Sequence, residues 1–282
     1  MKVADAMTPR SEVVTVSLPG TRDDVLEYLQ ERAFSSVPVV KETDAGEQYR
    51  GLVSREALIA RPDEDQLAIL MEDVPTTESD ADLHDVAELM LETGERRIPV
   101  VNGEELTGMI TVTDLVRAIA DGDVDGDIEV GDLASYDVNT VYEGTPLVVA
   151  EREIAFANVP YAIVLDDAGE MAGIITEVDL IDVAEVVEGE DATGESIANQ
   201  DDEWMWEGIK AVGNRYLPTR DVELPDAPVS EFMSDGLVTV TSTRKAREVA
   251  GLLLDNDIEQ VPLHRGRELV GVVRDVDLIA GL

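Results

Sequence analysis

The chain has 282 residues, of which 21 are Lys or Arg and 62 are Asp or Glu, and its formal net charge of −41 excludes a basic nucleic-acid binder. With no cysteine, disulfides, thiolate metal sites and thiol nucleophiles are excluded together, and no apolar run approaches the roughly 20 residues that span a bilayer. Hydrophobic residues make up 44% of the chain, enough for a substantial core, and the length predicts two compact units.

One pattern is written four times. After the opening Val3-Ala4-Asp5-Ala6-Met7-Thr8, Thr15 heads a strand, and Val25 with Leu29 sets an i, i+4 stripe that predicts a helix with one buried face. Val37-Pro38 starts a β-branched strand, a polar loop runs from Thr43 to Arg50, and Gly51-Leu52-Val53 starts a second strand leading to a helix from Glu56 to Ala60. The second copy runs through Thr76, Val86 and Met90, Ile98-Pro99, the turn Asn102-Gly103, Gly108-Met109-Ile110 and a helix from Asp114 to Ala120. The third has Thr140, Val159-Pro160, the turn Ala168-Gly169, Gly173-Ile174-Ile175 and a helix from Val178 to Val187. An acidic stretch from Glu188 to Glu203 then gives way to Trp204 to Pro228, which holds both tryptophans with Lys210, Arg215, Tyr216 and Arg220. This insert reads either as a strap over the junction or as a partner-docking surface. The fourth copy opens with Val229-Ser230-Glu231-Phe232-Met233-Ser234. It continues through Thr239, Val249 and Leu253, Val261-Pro262, Arg265-Gly266, Gly271-Val272-Val273 and a helix from Val276 to Ala280.

Threonine precedes the proline by 23 residues in copies one, two and four but by 20 in the third, which reads as a shortened copy. Each copy is strand, helix, strand, strand, helix, an α/β (α+β) unit. At about 55 residues it is too small for a comfortable core of its own, so copies are expected to pair.

The opening, the apolar-Pro strand and the closing Gly-apolar-apolar-Ser/Thr-x-x-Asp together resemble the CBS domain family, whose tandem pairs are Bateman modules. The resemblance covers residues 1–62, 67–121, 130–188 and 229–282, leaving 189–228 as the insert. It implies four CBS βαββα units in two Bateman modules, Met1 to about Asp121 and about Val130 to Leu282. These would form a disc-like assembly, either a monomeric pseudo-dimer or a homodimer. It further implies AMP, ADP, ATP or S-adenosylmethionine as a regulatory ligand in clefts between units.

The chemistry of the closing motif is compatible with this. An ionised Asp accepts both ribose hydroxyls, a Ser or Thr three residues earlier donates, and the following helix opening offers N–H groups to an anion. The motif is complete in Thr111 with Asp114 and in Thr176 with Asp179; copy four keeps Asp277 but has Arg274 in the hydroxyl position, where it is expected to serve phosphate instead. Copy one has Ser54 but Ala57, so its site is expected to be empty or altered. Helix N-capping is the alternative account of every such pair. Arg96 and Arg97 are expected at phosphate, with ion pairing to the abundant carboxylates as the alternative. The corresponding pairs are Ser35-Ser36, Ala157-Asn158 and Glu259-Gln260. The resemblance adds Thr76, Ile98, Pro99, Thr140, Val159, Pro160, Thr239, Val261 and Pro262 as ligand contacts.

Asp121 to Asp132 has the spacing of an EF-hand-like loop, but its end is already the opening of copy three, so no metal is assigned. His84 and His264 stand apart from any triad or metal spacing, and no enzyme active site emerges. Four lysines against 17 arginines, amid surplus carboxylate, read as a halophilic archaeal protein. Met1 to Pro9 lacks the apolar stretch of a signal peptide, so a cytoplasmic location is expected. The expected function is a stand-alone sensor signalling to a separate protein. The alternative is an interaction protein with vestigial sites, docking on a large assembly such as the translation machinery.

Overall fold

The computed structural model describes residues 1–31, 36–44, 46–54, 57–58, 61, 64–183, 185–186, 209–212, 215–218 and 222–282. Expectations for Ser35, Glu56, Trp204, Arg220, the run from Glu188 to Glu203 and the side chain of Leu29 lie outside the described residues. Two compact units are formed: Met1–Ala134 with Val240–Val261 and Val272–Leu282, and Ser135–Thr239 with Pro262–Gly271. No helix among the described residues is long and apolar enough to cross a membrane.

In the first unit, α1 (Val3–Ala6) and β1 (Thr8–Pro9) form the opening of copy one. Then β2 (Val16–Ser17) leads through α2 (Asp23–Glu31) to β3 (Ser36–Thr43), which it pairs in parallel, and β4 (Gly46–Ser54) returns antiparallel. Val16, Val25, Val37, Val39, Val53 and Leu58 bury one core with Leu67 and Leu70 of α3 (Leu67–Leu70), the opening of copy two.

The expected loop from Thr43 to Arg50 is instead ladder, paired out to Thr43 opposite Gly46. Its polar side chains face water and neighbours: Arg10 clamps Glu47 with bonds of 2.6 and 2.7 Å, and Tyr49 N donates to Glu104 O at 2.7 Å. Composition alone read exposure as irregularity.

Copy two supplies α4 (Leu83–Thr93), β5 (Arg97–Asn102), β6 (Glu105–Thr111) and α5 (Val112–Asp121). Val86 and Met90 lie on its buried helix face as the stripe predicts. The third strand of its sheet is β1, contributed by copy one, with Thr8 opposite Met109.

In the second unit β7 (Thr140–Tyr142), α6 (Leu147–Ala157), β8 (Tyr161–Leu165), β9 (Met171–Thr176) and α7 (Glu177–Val183) build copy three. Its core combines Leu147, Ala150, Ile154, Ala162, Val164, Ile175 and Leu180 with Val229, Phe232 and Met233 from the opening of copy four. The insert contributes β10 (Glu185–Val186), which pairs with β13 (Val222–Glu223), and a ribbon of β11 (Ile209–Val212) with β12 (Arg215–Pro218) whose backbone packs beside α7. Copy four adds α8 (Ala246–Asn256), β14 (Gln260–Arg265), β15 (Glu268–Arg274) and α9 (Asp275–Ile279), and the unit boundary passes through its hairpin. In the first unit α5 packs against both α8 and α9.

Openings are exchanged reciprocally. Val3 N donates to Ala81 O and Leu67 N to Gly20 O, so copies one and two each lend the other a first segment. Val130 N donates to Arg244 O and Val229 N to Thr145 O, repeating the exchange between copies three and four. Each borrowed segment crosses a glycine within the copy's last strand. A Cβ at Gly51, Gly173 or Gly271 would stand 2.7, 2.8 or 2.9 Å from the carbonyl oxygen of Glu72, Ser234 or Ser135, and one at Gly108 would meet that of Thr8. The glycine recurs because another copy's backbone occupies the place of its side chain.

The third copy is not shortened. Thr140 pairs with Ile163, 23 residues on, and Gly173 pairs with Val164 as Gly108 does with Val100. Ile163 therefore holds the strand position of Pro99, while Val159-Pro160 lies in the turn after α6. The equivalents of Arg96-Arg97 are Pro160-Tyr161 rather than Ala157-Asn158. A proline displaced by three residues imitated a deletion.

Candidate ligand-binding site

Three of the four closing motifs form capping boxes. At the start of α5, Thr111 N and Oγ1 both donate to Asp114 Oδ2, at 2.9 and 2.7 Å, and Asp114 N donates back to Thr111 Oγ1 at 3.3 Å. Arg117, on the same helix face, donates from Nη1 to Asp114 Oδ1 at 3.0 Å. At α7, Thr176 and Asp179 repeat the box with 2.7, 2.7 and 3.4 Å. The position equivalent to Arg117 is there Asp182, and no donor reaches Asp179 Oδ1 among the described residues. In copy four the Arg274 side chain replaces the hydroxyl, with Nε to Asp277 Oδ2 at 3.0 Å and Nη2 to Oδ1 at 2.8 Å. In copy one Ala57 N donates to Ser54 Oγ at 3.1 Å and Ser54 Oγ donates to Glu72 Oε2 at 3.4 Å, while Ala57 stands where the other copies have the box aspartate.

Capping accounts for every internal bond at Oδ2 of Asp114 and Asp179. A carboxylate has about four acceptor sites, so each retains capacity for an incoming hydroxyl. At Asp179 no donor among the described residues takes up this capacity. At Asp114 it is shared with Arg117, whose side chain is 54% exposed.

The arginine pair adjoins the copy-two box: Val112 N donates to Arg96 O at 3.0 Å, and Arg97 is the register partner of Thr111. The Arg96 guanidinium forks onto Asp275, Nη1 to Oδ1 at 3.2 Å and Nη2 to Oδ2 at 2.5 Å, with Glu259 Oε1 3.5 Å away. Burial opposes the Arg96 charge, but the hydrogen bond and charge of Asp275, with Glu259, outweigh it and hold the guanidinium above its ordinary value. Burial lifts the Asp275 carboxyl above the usual carboxylate range despite Arg96.

Of the remaining expected residues, Thr76 and Thr140 are exposed and Thr239 is half-buried. Thr76 precedes Thr77, whose N donates to Pro99 O at 3.0 Å. Ile98, Pro99, Val261 and Pro262 are buried. Val159 and Pro160 are half-buried, and Pro160 O accepts from Glu177 N at 3.1 Å, beside the copy-three box. Asp275, Glu259 and Arg117 were not foreseen. Arg117 was legible as the i+3 partner of Asp114, whereas Asp275 is 179 residues from Arg96.

Asp127 N donates to Asp125 Oδ1 within the acidic loop. No group of three or more acidic or histidine residues able to hold a metal occurs among the described residues. His84 is exposed beside Glu88, and His264 Nδ1 lies 3.0 Å from Gly266 O.

Comparison with known proteins agrees with this architecture. The chain is 26% identical over 278 residues to an uncharacterized protein of Methanocaldococcus jannaschii, MJ1404, covering 98% of this chain and 61% of that protein. To a second, MJ0188, it is 34% identical over 122 residues, covering 42% of this chain and 44% of that protein. The chain thus spans about three fifths and less than half of these relatives' own lengths, respectively. An uncharacterized conserved protein from Pyrococcus horikoshii has a similar structure, with a TM-score of 0.70 at 27% identity over 100% of this chain and 99% of that one. MJ1225 from Methanocaldococcus jannaschii shares the fold, with a TM-score of 0.66 at 20% identity over 100% and 99% of the two chains. The CBS domain pattern itself matches residues 3–64, 67–121, 130–185 and 229–282. Four matches on the four structural repeats fill most of the sequence, and the chain belongs to the CBS domain family.

Proposed function

We propose that the protein is a regulatory sensor that binds an adenosine-containing ligand at the boxes of copies two and three and signals to a separate protein. The observation that carries this reading is the pair of Thr-x-x-Asp boxes. Each has a carboxylate fixed by its own cap, and each retains acceptor capacity at Oδ1. Membership of a family of regulatory domains supports it. AMP, ADP, ATP and S-adenosylmethionine all present the same ribose diol to these carboxylates. Binding shifts the relative placement of repeats only by its differential affinity for two arrangements, and couplings of about 1–3 kcal/mol suffice for a response.

Calorimetric titration of the full chain with adenosine, AMP, ADP, ATP and S-adenosylmethionine in concentrated salt is the test. The expected result is uptake of at least one, reduced more than about tenfold (1.4 kcal/mol) when Asp114 and Asp179 are both changed to Ala. No uptake of any, or uptake indifferent to both changes, overturns the reading.

A further inference from the structure

We propose that Asp275 and Glu259 act as an internal anion on Arg96, which a phosphate group must displace to enter beside the copy-two box. This concerns the same site and rests on the function proposed above only for the identity of the nucleotide. Three observations converge on it.

First, the pair is built rather than incidental. Asp275 uses both oxygens on the Arg96 fork, which is the two-point geometry a phosphate would adopt there. Its side chain is 8% exposed, against 28% for Arg96, so the arginine side chain is the more accessible of the two to an incoming anion. Second, Arg96 O is tied to Val112 N, one residue from Thr111, and so the arginine is anchored to the turn that carries the candidate ribose carboxylate. Third, the competing carboxylates belong to a different repeat. Asp275 begins α9 and Glu259 precedes β14, and Asp275 N donates to Glu259 O at 2.9 Å, so the two are fastened to each other.

Arg274 adjoins Asp275 in sequence, but its guanidinium is engaged by both oxygens of Asp277. Once Arg96 is lost to a ligand, the buried Asp275 carboxylate loses the fork that offsets its burial, which strains this contact between copies two and four. The same contact lies in the unit where α5 packs against α8 and α9. Phosphate entry at Arg96 is thereby linked to the fit of those helices, and by reciprocity any partner that loosens them eases phosphate entry.

The experiment titrates the full chain with inorganic phosphate, AMP and adenosine, comparing wild type with Asp275→Asn and Glu259→Gln. Each variant keeps the shape of the side chain and removes its charge. The expected result is a gain of about tenfold in phosphate and AMP affinity in Asp275→Asn, within the usual range of such couplings. A smaller gain is expected in Glu259→Gln, no change for adenosine, and loss of the gain when Arg96→Ala is added. Equal phosphate affinity in wild type and both variants overturns the proposal, whatever adenosine does. Absence of adenosine binding with a gain in phosphate binding supports it while overturning the adenosyl reading. If Asp275→Asn does not fold, Glu259→Gln alone decides: a gain supports the proposal and none overturns it.

Discussion

At the residue scale, the chemistry concentrates in carboxylates fastened by their own backbone. Asp179 caps α7 through Thr176, so Asp179→Ala is expected to cost about 1 kcal/mol of stability, measured by urea unfolding, in addition to any loss of ligand. A stability unchanged within a few tenths would show that the box is not formed in solution. The Arg10–Glu47 clamp makes a pH prediction of definite sign. The Arg10 hydrogen bond holds the Glu47 carboxyl below its ordinary value, with burial opposing. Its contribution is therefore full above the unfolded glutamate value of about 4.3 and is lost as pH falls through the lower folded value. Glu47→Gln should accordingly destabilise the chain at neutral pH and converge on wild type below about pH 4; parallel stability curves across that range would refute the assignment. Thr111, Asp114, Thr176 and Asp179 were legible as a spacing. The partner of Arg96 was not, because ion pairing in a chain with 62 acidic residues offers dozens of equivalent choices until the fold selects Asp275.

At the scale of elements, the recurring glycine within each last strand has a mechanical explanation. Gly108→Ala or Gly173→Ala drives a methyl group into a backbone carbonyl that cannot rotate away, with an expected cost above about 2 kcal/mol. Gly251→Ala in α8, where nothing lies within 4 Å, should instead stabilise by up to about 1 kcal/mol. Thermal unfolding of the two classes separates them, and equal effects would discredit the close approach. Helices were read correctly from i, i+4 stripes such as Val86 with Met90 and Val249 with Leu253. The helix expected from Val178 to Val187 ends at Val183, and Glu185–Val186 is strand. Two further misreadings share a cause. Both the loop from Thr43 to Arg50 and the shortened third copy were inferred from residue type at landmarks, whereas strand register follows hydrogen-bond partners. Those placed Ile163, not Pro160, opposite Thr140.

At the scale of the whole molecule, a formal charge of −41 against four small repeats sets the conditions for stability. Raising ionic strength from 0.1 to 1 M shortens the Debye length from about 10 to 3 Å, so the melting temperature should rise over that range; a fall would mean that attractive ion pairs such as Arg96–Asp275 outweigh the general repulsion. The fourfold repeat, the helix and hairpin of each copy and the identity of the candidate ribose carboxylates were legible in the sequence alone, whereas the first strands expected at Thr76 and Thr239 are not strand elements in the structure. Periodicity and short-range capping are local properties, readable within a few turns of chain. Only the tertiary structure decided which copy lends its opening segment to which, why the glycines recur, and that Arg96 is held by Asp275 and Glu259. Those depend on backbone segments and charges far apart in the chain being packed together, and no local spacing encodes that choice.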